Sequence, residues 1–193
     1  SRAKALPGVK AVITHEDAGH IKYGVSPARY DETLFCIDKV RYVGDEIAAV
    51  AAIDPETAEK AVKLIDIEYE ELPFLLSIED ATREGAPLIH AEYPGNIGAE
   101  VHQEFGHVEE ALKECDYIRT DTLTSKMQNC AFIEPQGCIG DYDKRGYLTL
   151  YSSTQVPHYT QRTVAMVLNM PVGKVRVVKP YVGGGFGPKS EAT

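Results

Sequence analysis

Residues 183–187 read Gly-Gly-Gly-Phe-Gly, and Pro188, Lys189 and Ser190 follow. Glycine admits positive φ and close backbone approach, so such a run can aim several N–H groups at one anionic ligand. From Gly183 to Ser190 the spacing nearly repeats the phosphate loop Gly-x-x-x-x-Gly-Lys-Ser, with Pro188 where the second glycine belongs. Proline has no N–H to donate, and it fixes φ near about −65°. A nucleotide loop also needs a helix directly after Lys-Ser to direct its dipole at the phosphates. The dinucleotide pattern G-x-G-x-x-G fails on the same proline. The run therefore reads as an anion cradle of another kind. A phosphate- or nucleotide-binding module using residues 183–190 is the alternative, and a plain flexible linker is the third reading.

Three further groups could do chemistry. Thr154 and Gln155 stand where a strand gives way to a helix. A side-chain amide there can donate to an oxo or phosphate group, and the free N–H groups of the helix start add partial positive charge. The plainer fate of either residue is to cap the helix. Glu134 lies in an otherwise apolar stretch, Ala-Phe-Ile-Glu-Pro. Buried, with a raised pKa, it would suit general acid–base work; otherwise it would accept backbone N–H groups and hold two segments together. The histidine pairs His15/His20 and His102/His107 have one residue too many for H-E-x-x-H, so neither pair shares a helix face. They are expected on the surface, without metal. Cys36, Cys115, Cys130 and Cys138 form no C-x-x-C, so no iron–sulfur or zinc site is expected from this chain alone. They read as reduced cytosolic thiols, with Cys130 and Cys138 as small core hydrophobes.

Several local patterns must position these groups. Residues 40–54 suggest two short strands, or one leading into a buried one. Asp54 caps a helix with Pro55 in its first turn, and Ala58, Ala61, Val62 and Ile65 mark its buried face. Residues 66–72 alternate as a strand that Pro73 ends. Gly85, Pro87, Pro94, Gly95 and Gly98 crowd the next stretch, which is linker chemistry. Residues 106–116 suggest a short helix, residues 117–128 a strand, and residues 138–153 a hairpin turning at 143–146. A helix begins near Pro157, with Val164, Val167 and Leu168 on its apolar face. Pro171 ends it, and residues 174–178 form the next strand. The division expected is residues 1–82, a linker at 83–106, and residues 107–193.

The 193 residues suffice for a core without disulfides, and one or two domains are open. A formal charge of −9 with interspersed signs argues against nucleic acid and against a polybasic membrane contact. No apolar run approaches the roughly 20 residues that span a bilayer. The chain lacks an initiator methionine and stops soon after Ser190, so it reads as a piece of a longer polypeptide.

In order, these features resemble one family. Residues 154–189 are similar to the molybdenum-cofactor segment of the large subunit of xanthine dehydrogenase and aldehyde oxidase-type molybdenum hydroxylases: Thr-Gln, an amphipathic helix, a Val-Arg-Val strand, then Gly-Gly-Gly-Phe-Gly-x-Lys. Residues 131–137 resemble its Glu-Pro segment, and residues 6–14, 40–52 and 65–73 its α/β hammerhead domain. The resemblance implies an α+β fold, a hammerhead domain followed by the start of an aldehyde oxidase-type molybdopterin-binding domain. It also implies a molybdenum–pterin cofactor bordered by Gln155, Gly184, Gly185, Phe186 and Gly187. Gln155 would act in catalysis by approaching an oxo ligand of the metal; Gln155 and Phe186 would form the metal's environment without side-chain ligation. The implied reaction is oxidation at an electron-poor carbon, with a glutamate from a later segment as base. Electrons would leave through 2Fe–2S clusters to FAD on partner subunits or domains of a cytoplasmic, multi-subunit dimer. Purine-oxidising members carry an acidic residue directly after the lysine of the glycine motif, where this chain has Ser190, so a purine substrate is not expected. The wording around residues 131–136 and 152–159 resembles the 4-hydroxybenzoyl-CoA reductase branch, which implies a CoA-thioester substrate.

Overall fold

The computed structural model describes residues 2–25 and 30–191. The chain divides into two compact units, one formed by Ser1–Ile67 with Gln128–Thr193 and the other by Glu68–Met127.

The N-terminal part of the first unit is built on α1 (Arg2–Ala5), β1 (Val9–Thr14), α2 (His15–Ala18), β2 (Ala48–Ala52) and α3 (Pro55–Val62). β1 and β2 pair antiparallel with Val12 opposite Val50, and the register shifts between Val9 and Ala11. Alternation buries Val12, and α1 and α3 contribute Ala3 and Ala61 to the same core, packed against Leu6, Val9, Val50, Leu64 and Ile65. The cap falls where expected: the Asp54 carboxylate accepts the Thr57 N–H at 2.7 Å, with Pro55 in the first turn. Val62 does not join the buried face; it is 54% exposed. Only two strands form here, since residues 40–47 make a turn in which Asp45 accepts the Arg41 N–H. Residues 66–72 form no strand and pair with no sheet edge among the described residues.

The Asp54 carboxyl is held below its ordinary range by the Thr57 N–H. Its contribution to stability is therefore present above the usual aspartate pKa and is lost as pH falls through the lowered value. Asp54→Ala is expected to lower the urea midpoint at neutral pH, and the gap to wild type should close on acidification. Asp54→Asn, which keeps an acceptor oxygen, should lose less and show little pH dependence. A gap that stays constant in acid would refute the capping account.

The Glu68–Met127 unit carries α4 (Ile78–Thr82) and α5 (Val108–Lys113). Ser77 caps α4 by accepting the Asp80 N–H. Asn96 ties the Pro/Gly-rich stretch together: its Nδ2 donates to the Ala81 and Pro87 carbonyls, and its Oδ1 accepts the Ile89 N–H. Residues 117–127 form no strand and pair with no sheet edge among the described residues.

The rest of the first unit is a three-stranded sheet with a helix: β3 (Cys138–Tyr142), β4 (Leu148–Ser152), α6 (Pro157–Val167) and β5 (Val175–Val178). The hairpin turns where expected, with the Asp143 carboxylate accepting the N–H groups of Arg145 and Tyr147. β3 pairs antiparallel with β4, and β5 runs parallel to β4 on its other side. α6 makes the crossover that a parallel pair needs. Ala165 is buried with Leu148 and Val175, with Val164, Met170 and Val177 around them, while Leu168 stays 53% exposed. Cys138 and Cys130 are exposed instead of core residues, and all four thiols are free. No helix among the described residues is long and apolar enough to cross a membrane.

This topology positions everything that follows. Parallel neighbours end on the same side of a sheet, so the segments after β4 and after β5 emerge together. The segment before β3 joins them, because Cys138 at the start of β3 faces Ser152 at the end of β4. Gln155, residues 183–189 and Glu134 therefore converge from three separate stretches of chain. The carboxyl ends of parallel strands are where α/β sheets commonly place ligands.

Candidate functional site

Gln155 lies just past β4, and its side chain turns to the glycine run. Its Oε1 accepts the Gly187 N–H at 3.1 Å, and its own backbone N–H donates to the Lys189 carbonyl at 2.7 Å. That engagement of Oε1 fixes the amide's orientation and makes Nε2 the donor end. Gln155 does not cap α6; Thr154 closes that turn, its Oγ1 accepting the Val156 N–H at 3.0 Å. The buried Thr154 hydroxyl also donates to the Lys189 carbonyl at 3.3 Å and lies 3.1 Å from the Thr160 hydroxyl.

The glycines are there for close packing as well as for backbone freedom. A Cβ on Gly185 would lie 2.6 Å from Gln155 Cδ, and one on Gly183 would lie 2.7 Å from Glu134 Cβ. Gly184 and Gly187 adopt φ of 97° and 108°, where L side chains are strained. Between them, Phe186 is held at φ 53° with its ring 74% exposed, so apolar burial does not explain the conformation. Across from it Ala131 also has positive φ, 45°, and the Cys130 thiol donates to the Phe186 carbonyl at 3.5 Å. Two non-glycine residues in this region, side by side, mark a backbone shaped for more than packing.

Along the loop, the Gly183 N–H is taken by Glu134 and the Gly187 N–H by Gln155. The N–H groups of Gly184, Gly185 and Phe186, between them, have no hydrogen-bond partner among the described residues. Three adjacent unmatched donors, a Gln Nε2 beside them and two glycines that admit no Cβ suit an anionic, oxygen-rich cofactor held against the backbone. Among the described residues no cluster of three metal-ligating side chains occurs.

Glu134 takes the connecting role the sequence offered, and Lys189 takes a role it did not. Pro188 opens a short 3-10 turn, Pro188–Ser190, and Lys189 turns inward, with its side chain 0% exposed and its Nζ 2.7 Å from Glu134 Oε2. An inward, paired ammonium is not available to a nucleotide phosphate, which removes the phosphate-loop alternative. Glu134 is half-exposed and its pKa is lowered, first by the hydrogen bond from the Lys189 ammonium and then by the Gly183 N–H. It is therefore a connecting carboxylate and not a buried acid of raised pKa. The inward course of Lys189, the turn at Ala131 and the bond from Gln136 Nε2 to the Pro188 carbonyl were not foreseen; only the carboxylate in an apolar stretch signalled this corner. The histidines remain outside it: His20, His102 and His107 are exposed, and His15 stacks on His20 at 6.2 Å.

A backbone cradle beside a glutamine, at the carboxyl ends of a β–α–β unit, is the geometry of a ligand-binding module. Residues 89–193 match the molybdopterin cofactor-binding domain, and residues 1–73 match the aldehyde oxidase and xanthine dehydrogenase a/b hammerhead domain. The chain belongs to the xanthine dehydrogenase and aldehyde oxidase family of molybdenum proteins, with a hammerhead domain and part of a molybdopterin-binding domain in an α+β fold. It is 41% identical, over 98% of its length, to the nicotinate dehydrogenase large molybdopterin subunit of Eubacterium barkeri, of which it spans 44%. It is 31% identical, again over 98% of its length, to the nicotine 6-hydroxylase large subunit of Paenarthrobacter nicotinovorans, of which it spans 25%. In structure it superimposes on quinoline 2-oxidoreductase from Pseudomonas putida 86 with a TM-score of 0.82 and 27% identity, covering 97% of this chain and 25% of that one.

Proposed function

We propose that the chain supplies part of the cofactor pocket of a molybdenum-dependent oxidoreductase, with Gln155, Gly184, Gly185, Phe186 and Gly187 bordering the molybdenum–pterin group. The observation that carries this reading is the Gln155 amide, locked by the Gly187 N–H beside three unmatched loop N–H groups. When bound, the cofactor supplies the two-electron redox chemistry. The chain's own residues would bind and orient it: Gln155 Nε2 would donate to an oxygen of the group, and the loop N–H groups would stabilise negative charge close to the backbone. Phe186, exposed and held at positive φ, closes one side of that space. Its carbonyl accepts the Cys130 thiol.

The substrate class this reading favours is a nitrogen heteroaromatic ring, because three similar proteins are named for nicotinate, nicotine and quinoline. Reductive removal of a phenolic hydroxyl from a CoA thioester, as in 4-hydroxybenzoyl-CoA reductase, is the other branch the sequence wording suggests. The whole protein would work in the cytoplasm as a multi-subunit dimer, passing electrons to 2Fe–2S and FAD groups on partner subunits or domains. Residues 1–82 and 107–193 would be its domain parts here, joined through 83–106.

Gln155→Ala in the full-length protein is expected to leave folding intact and to lower turnover about a hundredfold or more, the usual scale for losing a charge-stabilising donor. The check is the steady-state rate at matched molybdenum content; an unchanged rate would remove Gln155 from the site.

A further inference from the structure

A fully buried ammonium is costly unless it is paired and hydrogen-bonded. Lys189 is the one large side chain among the described residues that is completely buried, and it sits at the end of the glycine loop. Its Nζ meets Glu134 Oε2 at 2.7 Å and lies 4.9 Å from the centre of the Phe132 ring, whose face attracts a cation. The same oxygen, Glu134 Oε2, accepts the Gly183 N–H at 2.8 Å. One carboxylate oxygen thus gathers both ends of the loop, residues 183 and 189. The middle is left with its N–H groups unmatched. The far end is fixed a second time, through the Lys189 carbonyl, by the Gln155 N–H and the Thr154 hydroxyl.

We propose that Glu134 and Lys189 are a positioning pair, a charged latch that sets the shape of the 183–187 cradle without itself touching the cofactor. The proposal rests on the cofactor reading of that loop given above. The latch is asymmetric, and the asymmetry makes it testable. Lys189 has a side-chain exposure of 0% and Glu134 of 36%. Removing the carboxylate charge strands a buried cation, whereas removing the ammonium leaves a carboxylate that water and the Gly183 N–H can still satisfy. Glu134→Gln should therefore damage the loop more than Lys189→Met. The double variant Glu134→Gln/Lys189→Met, with no stranded charge, should recover part of the loss.

The experiment uses the full-length protein with two readouts: hydrogen–deuterium exchange of the Gly183 and Gly187 amides, the bonded ones of the loop, and molybdenum and pterin content per chain. Loss of a charged hydrogen bond at a buried site should speed loop exchange about tenfold or more in Glu134→Gln. Amides of the β3–β4 hairpin should stay as in wild type, and cofactor content should fall. The double variant should lie between Glu134→Gln and wild type on both measures. Wild-type exchange and content in Glu134→Gln would overturn the latch, and so would a double variant worse than Glu134→Gln. Faster loop exchange with full cofactor content would leave the latch standing and overturn the cofactor reading on which it rests.

Discussion

Gly183→Ala in the full-length protein is expected to lose most of its molybdenum and pterin and to unfold at a lower urea concentration. The new Cβ would lie 2.7 Å from Glu134 Cβ, and also 3.6 Å from Glu134 Cγ and Cδ. A Cβ moves only with its own backbone, so no rotamer of Glu134 relieves the first contact. Either residues 131–137 or the glycine loop must shift, and overpacking of this kind costs about 1–3 kcal/mol. Any shift that separates the two segments also pulls Glu134 Oε2 away from Lys189, whose ammonium has no solvent to turn to. Two effects with one cause should thus appear together, a lower urea midpoint and a lower metal content. A Gly183→Ala protein with wild-type midpoint and full metal would show that the two segments do not meet as described.

Gly185→Ala should behave differently, although its contact is as short. Here the obstacle is the Gln155 side chain, with Cδ 2.6 Å and Cγ 2.9 Å from the new methyl group. A side chain can swing aside. Gln155 would then give up the Gly187 N–H at 3.1 Å, and its Nε2 would no longer be aimed. Stability should change by less than about 0.5 kcal/mol, as for most changes that leave buried packing alone. Turnover at matched molybdenum should fall to about the level of Gln155→Ala. The decisive variant is the double: with Gln155 already cut to alanine the methyl group has nothing to strike. Gly185→Ala should then add almost nothing, a strongly non-additive pair. Additive losses would mean that Gly185 acts independently of Gln155.

Local signals carried the parts of the fold that local chemistry decides. Asp54 before Pro55 fixed the start of α3, Asp143 and Gly146 the hairpin turn, and Pro157 the start of α6. The failures share a cause. Residues 66–72 and 117–128 alternate as strands should, but a strand is made by its partner edge, and alternation says nothing about whether one is present. The place of Lys189 was hidden for a related reason: Pro188 already argued against a phosphate loop, but only the three-dimensional meeting with Glu134 turns the lysine inward. Cys130 and Cys138 looked like core residues by type and lie on the surface. What the sequence did present was the set of residues at the corner, through family resemblance. Their contacts, Gln155 on Gly187 and Glu134 on Gly183, come from the parallel pairing of β4 and β5.

That pairing has a consequence for the order of events during synthesis. The corner joins residues 134, 155 and 183–189, so no shorter stretch of chain contains it. A parallel strand pair closes a long loop before any of its contacts repay the entropy, which makes such pairing a late step. A nascent chain emerges from the ribosome with β3 and β4 already able to form their hairpin, while the cradle still lacks its third wall. The corner comes together in one step when β5 docks. If the cradle takes the cofactor as proposed, delivery would have to follow that step.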